Sequence, residues 1–502
     1  MKILSRENIQ KADQYTIENE PITSIDLMER ASEAFVQATV EKHFDFNKPV
    51  FVFAGKGNNG GDGLAISRML SLMNFNVRVF IPQTSSKSGS DDFEKNLQRL
   101  EQVTPEFVTD ASQLPEVPEG TVIIDALFGT GLNRPLEGLP AKIVQHINKY
   151  RERACILSVD IPSGLFCDEP NPDKTIVKAH YTYTFQVPKY SFFIPECGKY
   201  AGSFEVLDIG LSKEFLEKTP EKARYLTPEA VEKIPPREKF SHKGTYGHVL
   251  LCAGSYGKCG AAVLAASAAI SSGAGLTTAL IPQCGYSVMQ TALPEAMVIT
   301  GKNKNFLEEL PVDPEKFDAT GVGPGIDVNR QSYDFFSELL EKISDPLVID
   351  ADGLNLLSYY PELLKKVPEG SILTPHPGEF KRLAGKTENG FQQLYLASDF
   401  AVRYQVNLLL KGAYSAIINT SGEITFNSTG NPGMAKGGSG DVLTGIITAL
   451  LARHRKPETA LCQAVYLHGL AGDIACNEKG EEAMKAGDII NALPVGLNYL
   501  KK

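Results

Sequence analysis

From residue 50 onward, short apolar runs alternate with longer stretches whose apolar positions recur at helical spacing. That alternation predicts strands joined by crossover helices, the pattern of a parallel sheet. In the first half, strands are expected over 50–54, 77–81, 122–126 and 155–160, with a helix over 64–75. Between 211 and 243 the pattern lapses. Lys, Glu and Pro dominate there, including Pro220, Pro228, Pro235 and Pro236, and the segment reads as a domain junction. The alternation then resumes, with strands expected at 248–252, 276–280, 346–350, 371–374 and 407–411 and helices at 441–453 and 461–477. The weakly polar run 261–281 is rich in Ala, Ser and Gly and broken by Gly273 and Gly275. It reads as a buried helix followed by a strand rather than a membrane span.

A chain of 502 residues exceeds one compact core, so two or three domains of α/β class are expected. Hydrophobic residues at 42% and charged residues at 22% are ordinary globular usage. The net charge of −10 disfavours nonspecific nucleic-acid binding, which needs Lys and Arg against phosphate. It does not disfavour a phosphate ligand held by backbone amides. The eight cysteines form no C-x-x-C pair and fit a reduced, cytoplasmic chain, and residues 1–6 lack the apolar core of a signal peptide.

Candidate chemistry sits at the ends of the expected strands. The first runs into Gly55-Lys56-Gly57-Asn58-Asn59-Gly60-Gly61-Asp62-Gly63, where Gly55, Gly57 and Gly60 satisfy G-x-G-x-x-G. A dinucleotide fold of the dehydrogenase kind would close its second strand with an acidic residue for the ribose. Here that strand ends Phe80-Ile81-Pro82-Gln83, which argues against it. Asp125-Ala126-Leu127-Phe128-Gly129-Thr130-Gly131 and Asp160-Ile161-Pro162-Ser163-Gly164 end two more strands. In an open parallel sheet these ends share one crevice, so Asn59, Asp125, Asp160 and Ser163 are expected to meet. Oxygen ligands of this kind suit a hard cation or a ribose; the competing reading is that each Asp caps the turn after it.

In the second half, Gly321-Val322-Gly323-Pro324-Gly325 suggests a backbone cradle for an anion, and small residues near Ala261 admit a flat ligand. Asp352, Asn355 and Glu379 are candidates for magnesium, or else helix caps. His376 is held between Pro375 and Pro377 and is expected to touch a ligand. Gly437-Gly438-Ser439-Gly440-Asp441 opens a helix, where outward amides and the dipole favour a pyrophosphate. Asp441 is placed to take a proton from a hydroxyl as phosphate is transferred to it.

Gly-Asn-Asn-Gly-Gly-Asp-Gly, Asp-Ala-Leu-Phe-Gly-Thr-Gly and Val-Asp-Ile-Pro-Ser-Gly together resemble the NAD(P)H-hydrate epimerase family over roughly residues 1–210. The resemblance implies a Rossmann-like three-layer domain over 1–215. Its substrate site would comprise Asn58, Asn59, Gly60, Gly61, Asp62, Gly129, Thr130, Gly131, Leu132, Asn133, Arg134, Pro135 and Asp160. It further implies a potassium ion on Asn59, Asp125 and Ser163. Proton or hydroxide movement at the hydrated carbon needs a carboxylate such as Asp160 beside a cation, for which Lys189 is the candidate; an exposed loop cation is the other reading of Lys189.

Lys243-Gly244-Thr245-Tyr246-Gly247, Gly323-Pro324-Gly325, Thr374-Pro375-His376-Pro377-Gly378-Glu379 and the Gly437–Asp441 turn resemble the ADP/ATP-dependent NAD(P)H-hydrate dehydratases of the ribokinase-like superfamily. That resemblance implies a ribokinase-like α/β domain over 225–502. Ala261, Gly323, Gly325, His376 and Asp441 would contact the hydrated dinucleotide. Lys411, Gly412, Ala413, Tyr414, Ser415 and Gly440 would contact the adenine nucleotide, used with Mg2+. The implied activity is bifunctional: R- and S-hydrates of NADH or NADPH are interconverted, and the S form is phosphorylated by ADP or ATP and loses phosphate. Resemblance to fused bacterial members favours ADP and a homo-oligomer, a tetramer or larger, with no nucleic-acid or membrane partner. Two alternatives stay open: a ribokinase-like small-molecule kinase, and an N-terminal domain that binds or docks without turnover.

Overall fold

The structure is a computed structural model and describes residues 1–83, 88–454 and 456–501. The chain forms two compact units, one of residues 2–223 with 389–391, the other of residues 224–388 and 392–502 with Met1.

In the first unit seven parallel strands lie in the order Glu106–Val108, Val77–Pro82, Val50–Ala54, Val122–Ala126, Cys155–Val159, Tyr181–Phe185, Ser203–Leu207. Alternate residues of the central strand serve opposite faces, as the two-residue period of a strand requires. Val50, Val52 and Ala54 join a core with Phe35, Leu64 and Phe93, whereas Phe51 and Phe53 join one with Ile143 and Ile147. Helices therefore cover both faces: Ser24–His43, Asn58–Leu72 and Asp91–Arg99 on one, Gly138–Lys149 on the other. The first strand of this sheet, Val50–Ala54, lies near its centre, and the strand order reverses between it and Val122–Ala126, so the carboxyl ends of these two strands open a crevice.

The expected helix over 64–75 instead begins at Asn58 and ends at Leu72. The glycine-rich stretch is thus largely helix, not loop. A methyl group on Gly60 would lie 1.7 Å from the Gly55 carbonyl oxygen. Glycine there lets the helix start directly against the end of the first strand.

In the second unit the sheet runs Ala223–Leu226, Ile424–Asn427, Ala416–Ile418, Asn407–Leu410, Ile372–Leu373, Val348–Ile349, Ala319–Val322, His248–Cys252, Leu276–Ile281, Met297–Thr300. From Asn407–Leu410 to Met297–Thr300 every pairing is parallel; Ala416–Ile418 runs antiparallel to both neighbours. The expected strands at 346–350 and 371–374 shorten to two residues each, and 211–243 contains the short helix Lys213–Lys218 and the strand Ala223–Leu226 as well as irregular chain. The segment 261–281 is a helix, Cys259–Ser271, and a strand, Leu276–Ile281. That helix packs with Ser439–His454 in a shared apolar core. The direction reverses between His248–Cys252 and Ala319–Val322, again setting the strand ends around a crevice. Among the described residues no helix is long and apolar enough to cross a membrane.

Candidate active sites

In the first unit a cavity of about 740 Å3 opens at the carboxyl ends of the central strands. Asn58, Asn59, Asp62, Thr130, Asp160 and Lys189 are among its lining residues. Lys189 is not the loop cation of the competing reading: it is 0% exposed and its Nζ lies 2.7 Å from Asp160 Oδ1. The same ammonium donates to the carbonyls of Phe185 and Val187, each at 3.1 Å. Asp160 also accepts from the Phe185 N–H at 3.0 Å. Its φ of +66° is a left-handed conformation that costs energy for any residue but glycine. The fold thus holds this carboxylate in place against a local preference.

Asp125 and Ser163 meet deeper, both wholly buried. Asp125 Oδ2 accepts from Ser158 Oγ and from the Ser163 N–H, each at 2.8 Å, while Ser163 Oγ accepts from the Phe128 N–H. Burial raises Asp125 above the usual carboxylate range, and O–H and N–H donors rather than a cationic side chain oppose that rise. Asn59 is buried with an amide nitrogen that lacks a partner. Gly129 and Gly131 line the cavity; Leu132, Asn133, Arg134 and Pro135 are not among the lining residues, and Gly60 and Gly61 serve packing within the helix start. Asp62 is pushed well above the usual range by burial and by the nearby Asp160, Asp13 and Asp92. Asp13, on the helix Arg6–Asn19, carries no motif that singles it out. Burial, and then Asp160, raise it to about 7, against the pull of Lys189.

In the second unit Lys411 ends the strand Asn407–Leu410, and its Nζ lies 2.6 Å from Asp350 Oδ1. Thr444 Oγ1, one turn into Ser439–His454, donates to Asp350 Oδ2 at 2.6 Å. Burial opposes the Asp350 charge, but Lys411 and these hydrogen bonds outweigh it and hold the group below the usual range. Gly440 faces this pair: a methyl group there would lie 3.5 Å from Lys411 Nζ. Asp441 follows. Burial, then the Asp350 carboxylate, raise it to about 6, with Lys411 pulling the other way. The sequence places Asp350 at the end of an expected strand but does not mark Thr444 or the contact between them, which comes from strand-end geometry.

Gly323 has φ +125°, and a side chain there would collide with the Asp350 carbonyl. Gly325 adjoins Lys258 and Ala261, and Lys258 Nζ is 3.3 Å from Asp352 Oδ2. Gly412 and Ser415 close a tight turn after Lys411 in which Ala413 is exposed and Tyr414 half-buried. His376 is 53% exposed, but its Nδ1 accepts from the Gly378 N–H at 3.0 Å and caps the helix Pro377–Ala384. Its ring has a structural partner as well as an open side.

Of the magnesium candidates, Asn355 Nδ2 donates to Asp352 Oδ1 at 3.3 Å. Glu379 accepts from the His376 N–H at 2.8 Å, and Asn355 Oδ1 accepts from Arg382. Among the described residues, no three His, Cys, Asp or Glu side chains cluster to hold a metal.

Two family models match the chain. The model described as NAD(P)H-hydrate dehydratase matches residues 249–495, and that of the YjeF-related protein N-terminus matches residues 24–191. The bifunctional NAD(P)H-hydrate repair enzyme of Moorella thermoacetica is 36% identical over 500 residues, covering 96% of this chain and 94% of the relative. That of Escherichia coli is 31% identical, over 94% of this chain and 89% of the relative. A crystal structure of the ADP/ATP-dependent NAD(P)H-hydrate dehydratase from Bacillus subtilis, with ATP/Mg2+, is 31% identical. It aligns to 56% of this chain and 99% of its own at a TM-score of 0.49.

Proposed function

The chain belongs to the bifunctional NAD(P)H-hydrate repair enzymes, and from that premise we propose that residues 1–215 interconvert R- and S-hydrates while residues 225–502 dehydrate the S form. The buried Lys189–Asp160 pair that lines the cavity carries the first assignment. A carboxylate beside a fixed cation can accept and return the proton of a hydrate hydroxyl. Asn58, Asn59, Asp62 and the 129–131 turn would grip the substrate; Leu132–Pro135 would do so from outside the cavity, and Gly60 and Gly61 through the helix start.

A potassium ion would be held by Asn59, Asp125 and Ser163. The wholly buried Asp125 carboxylate, satisfied by hydrogen-bond donors and by no cationic side chain, supports that choice. The ion would supply fixed positive charge beside the substrate.

Asp441 would be the base of the dehydratase, and its raised proton affinity suits that work. It takes the proton of the hydrate hydroxyl as that oxygen receives phosphate from ADP or ATP. Loss of phosphate, together with a proton from the adjacent ring carbon, then restores the reduced nicotinamide. Gly440, Lys411 and the 412–415 turn would bind the adenine nucleotide, with Ala261, Gly323, Gly325 and His376 on the dinucleotide side. Magnesium fits bound chiefly through nucleotide phosphates, since no protein cage forms among the described residues. A cytoplasmic homo-oligomer belongs to the same reading.

The test is the chain with mixed R- and S-NADH hydrate, magnesium and ADP or ATP, followed by the absorbance of restored NADH. Complete restoration is expected. No restoration removes the dehydratase, and a residue of unconverted R form removes the epimerase.

A further inference from the structure

The helix Arg6–Asn19 precedes the matched stretch 24–191, yet it forms part of the cavity. Ile9, Gln10, Asp13, Gln14 and Ile17 follow helical spacing and line it together with Asp160 and Lys189. Among these five, Asp13 is the one that titrates. It has no capping role, because it lies mid-helix and Ser5 caps the helix start. Nor is Lys189 available to it as a hydrogen-bond donor. An ammonium has three protons, and Asp160, Phe185 and Val187 supply three acceptors. Asp13 therefore borders the same cavity as Asp160 and Asp62 from a different element, without a counter-ion of its own among the described residues.

Inverting a hydrated ring carbon requires that hydroxide leave one face and water enter the other. Two groups are needed, one to give a proton and one to take it. We propose that Asp13 is the second acid–base residue of the epimerisation, acting across the substrate ring from the Asp160–Lys189 pair. This rests on the epimerase reading above. In one direction Asp13 gives its proton to the leaving hydroxyl, and the C–O bond breaks with its electrons staying on oxygen as water. The ring nitrogen lone pair closes a C=N+ bond. Water then adds through its oxygen to the other face, the nitrogen regains its pair, and Asp160 takes the released proton. The reverse reaction swaps the two roles, and no oxidant or reductant is consumed. The tendency of Asp13 to keep its proton to about neutral pH agrees with that part.

The decisive experiment measures R/S interconversion chromatographically in the full chain without nucleotide, so that dehydration is silent. Asp13→Asn preserves shape and is expected to lower kcat about 100-fold or more, with the KM and the measured Kd for hydrate within about threefold. Asp13→Glu, which keeps a carboxyl group, is expected to retain measurable turnover. A rate for Asp13→Asn within about threefold of the unaltered chain overturns the proposal. So does a loss matched by an equal loss of hydrate binding, which assigns Asp13 to structure. If the unaltered chain itself fails to interconvert the hydrates, the epimerase reading falls, independently of Asp13.

Discussion

Asp441 keeps its proton up to about pH 6 because it is largely buried beside the Asp350 carboxylate. The base proposed for dehydration must first be deprotonated, so dehydration is expected to rise with pH through about 6 and level off above it, measured as initial rates from pH 5 to 8. Stability carries the opposite sign. The folded state binds this proton more tightly than the unfolded chain, so the protonated form favours folding and that advantage is lost as pH rises through about 6. Asp441→Asn removes the charge and should stabilise the second unit by about 1–3 kcal/mol at pH 8 and by almost nothing near pH 3.5, read from denaturant unfolding. Lys189→Met acts in the other direction. It leaves Asp160 without its cation and the left-handed turn without its anchor, and is expected to cost about 3 kcal/mol or more in the same assay. Interconversion should be lost with it.

At the scale of elements, the glycines of 55–63 do two different jobs. Gly60→Ala drives a methyl group into the Gly55 carbonyl, whereas a methyl group on Gly57 meets nothing within 4 Å. The first change should lower stability by about 2 kcal/mol or more and the second by under about 1 kcal/mol, compared by thermal unfolding. Strand and helix periods made the α/β class legible, because each central strand alternates between two apolar faces. The helix start at Asn58 was not legible. Gly60, Gly61 and Gly63 look like loop residues locally, and only docking against Gly55, Met28 and Ala126 makes them helical. Val348–Ile349 and Ile372–Leu373 shortened for the complementary reason: strand pairing ends before hydrophobicity does. Asp13, in an amphipathic helix without a motif, gave no signal along the chain, whereas Asp350 ends an expected strand and only its partners went unseen.

For the molecule as a whole, two sites in two compact units predict separable activities. Asp441→Asn should abolish NADH restoration while leaving R/S interconversion within about twofold of the unaltered chain, so that chromatography shows both hydrates persisting at equilibrium. Loss of both activities would contradict the separation. Gathering charged residues at the carboxyl ends of parallel strands was legible in advance, since that follows from topology; the Lys411–Asp350–Thr444 contact, spread over 94 positions of sequence, was not.

The helix Asn58–Leu72 has a consequence for how the molecule forms. Its opening turns hold three glycines, which cost about 1 kcal/mol each relative to alanine, so that end has little tendency to coil while unattached. Coiling is expected to propagate backward from 64–72 once Val50–Ala54 and Val122–Ala126 are paired, so that hydrogen exchange during refolding protects 58–63 later than 64–72. The wall that carries Asn59 and Asp62 is then among the last parts of the first unit to take shape, and a chain caught before that moment would possess its sheet but not yet its means of gripping a ligand.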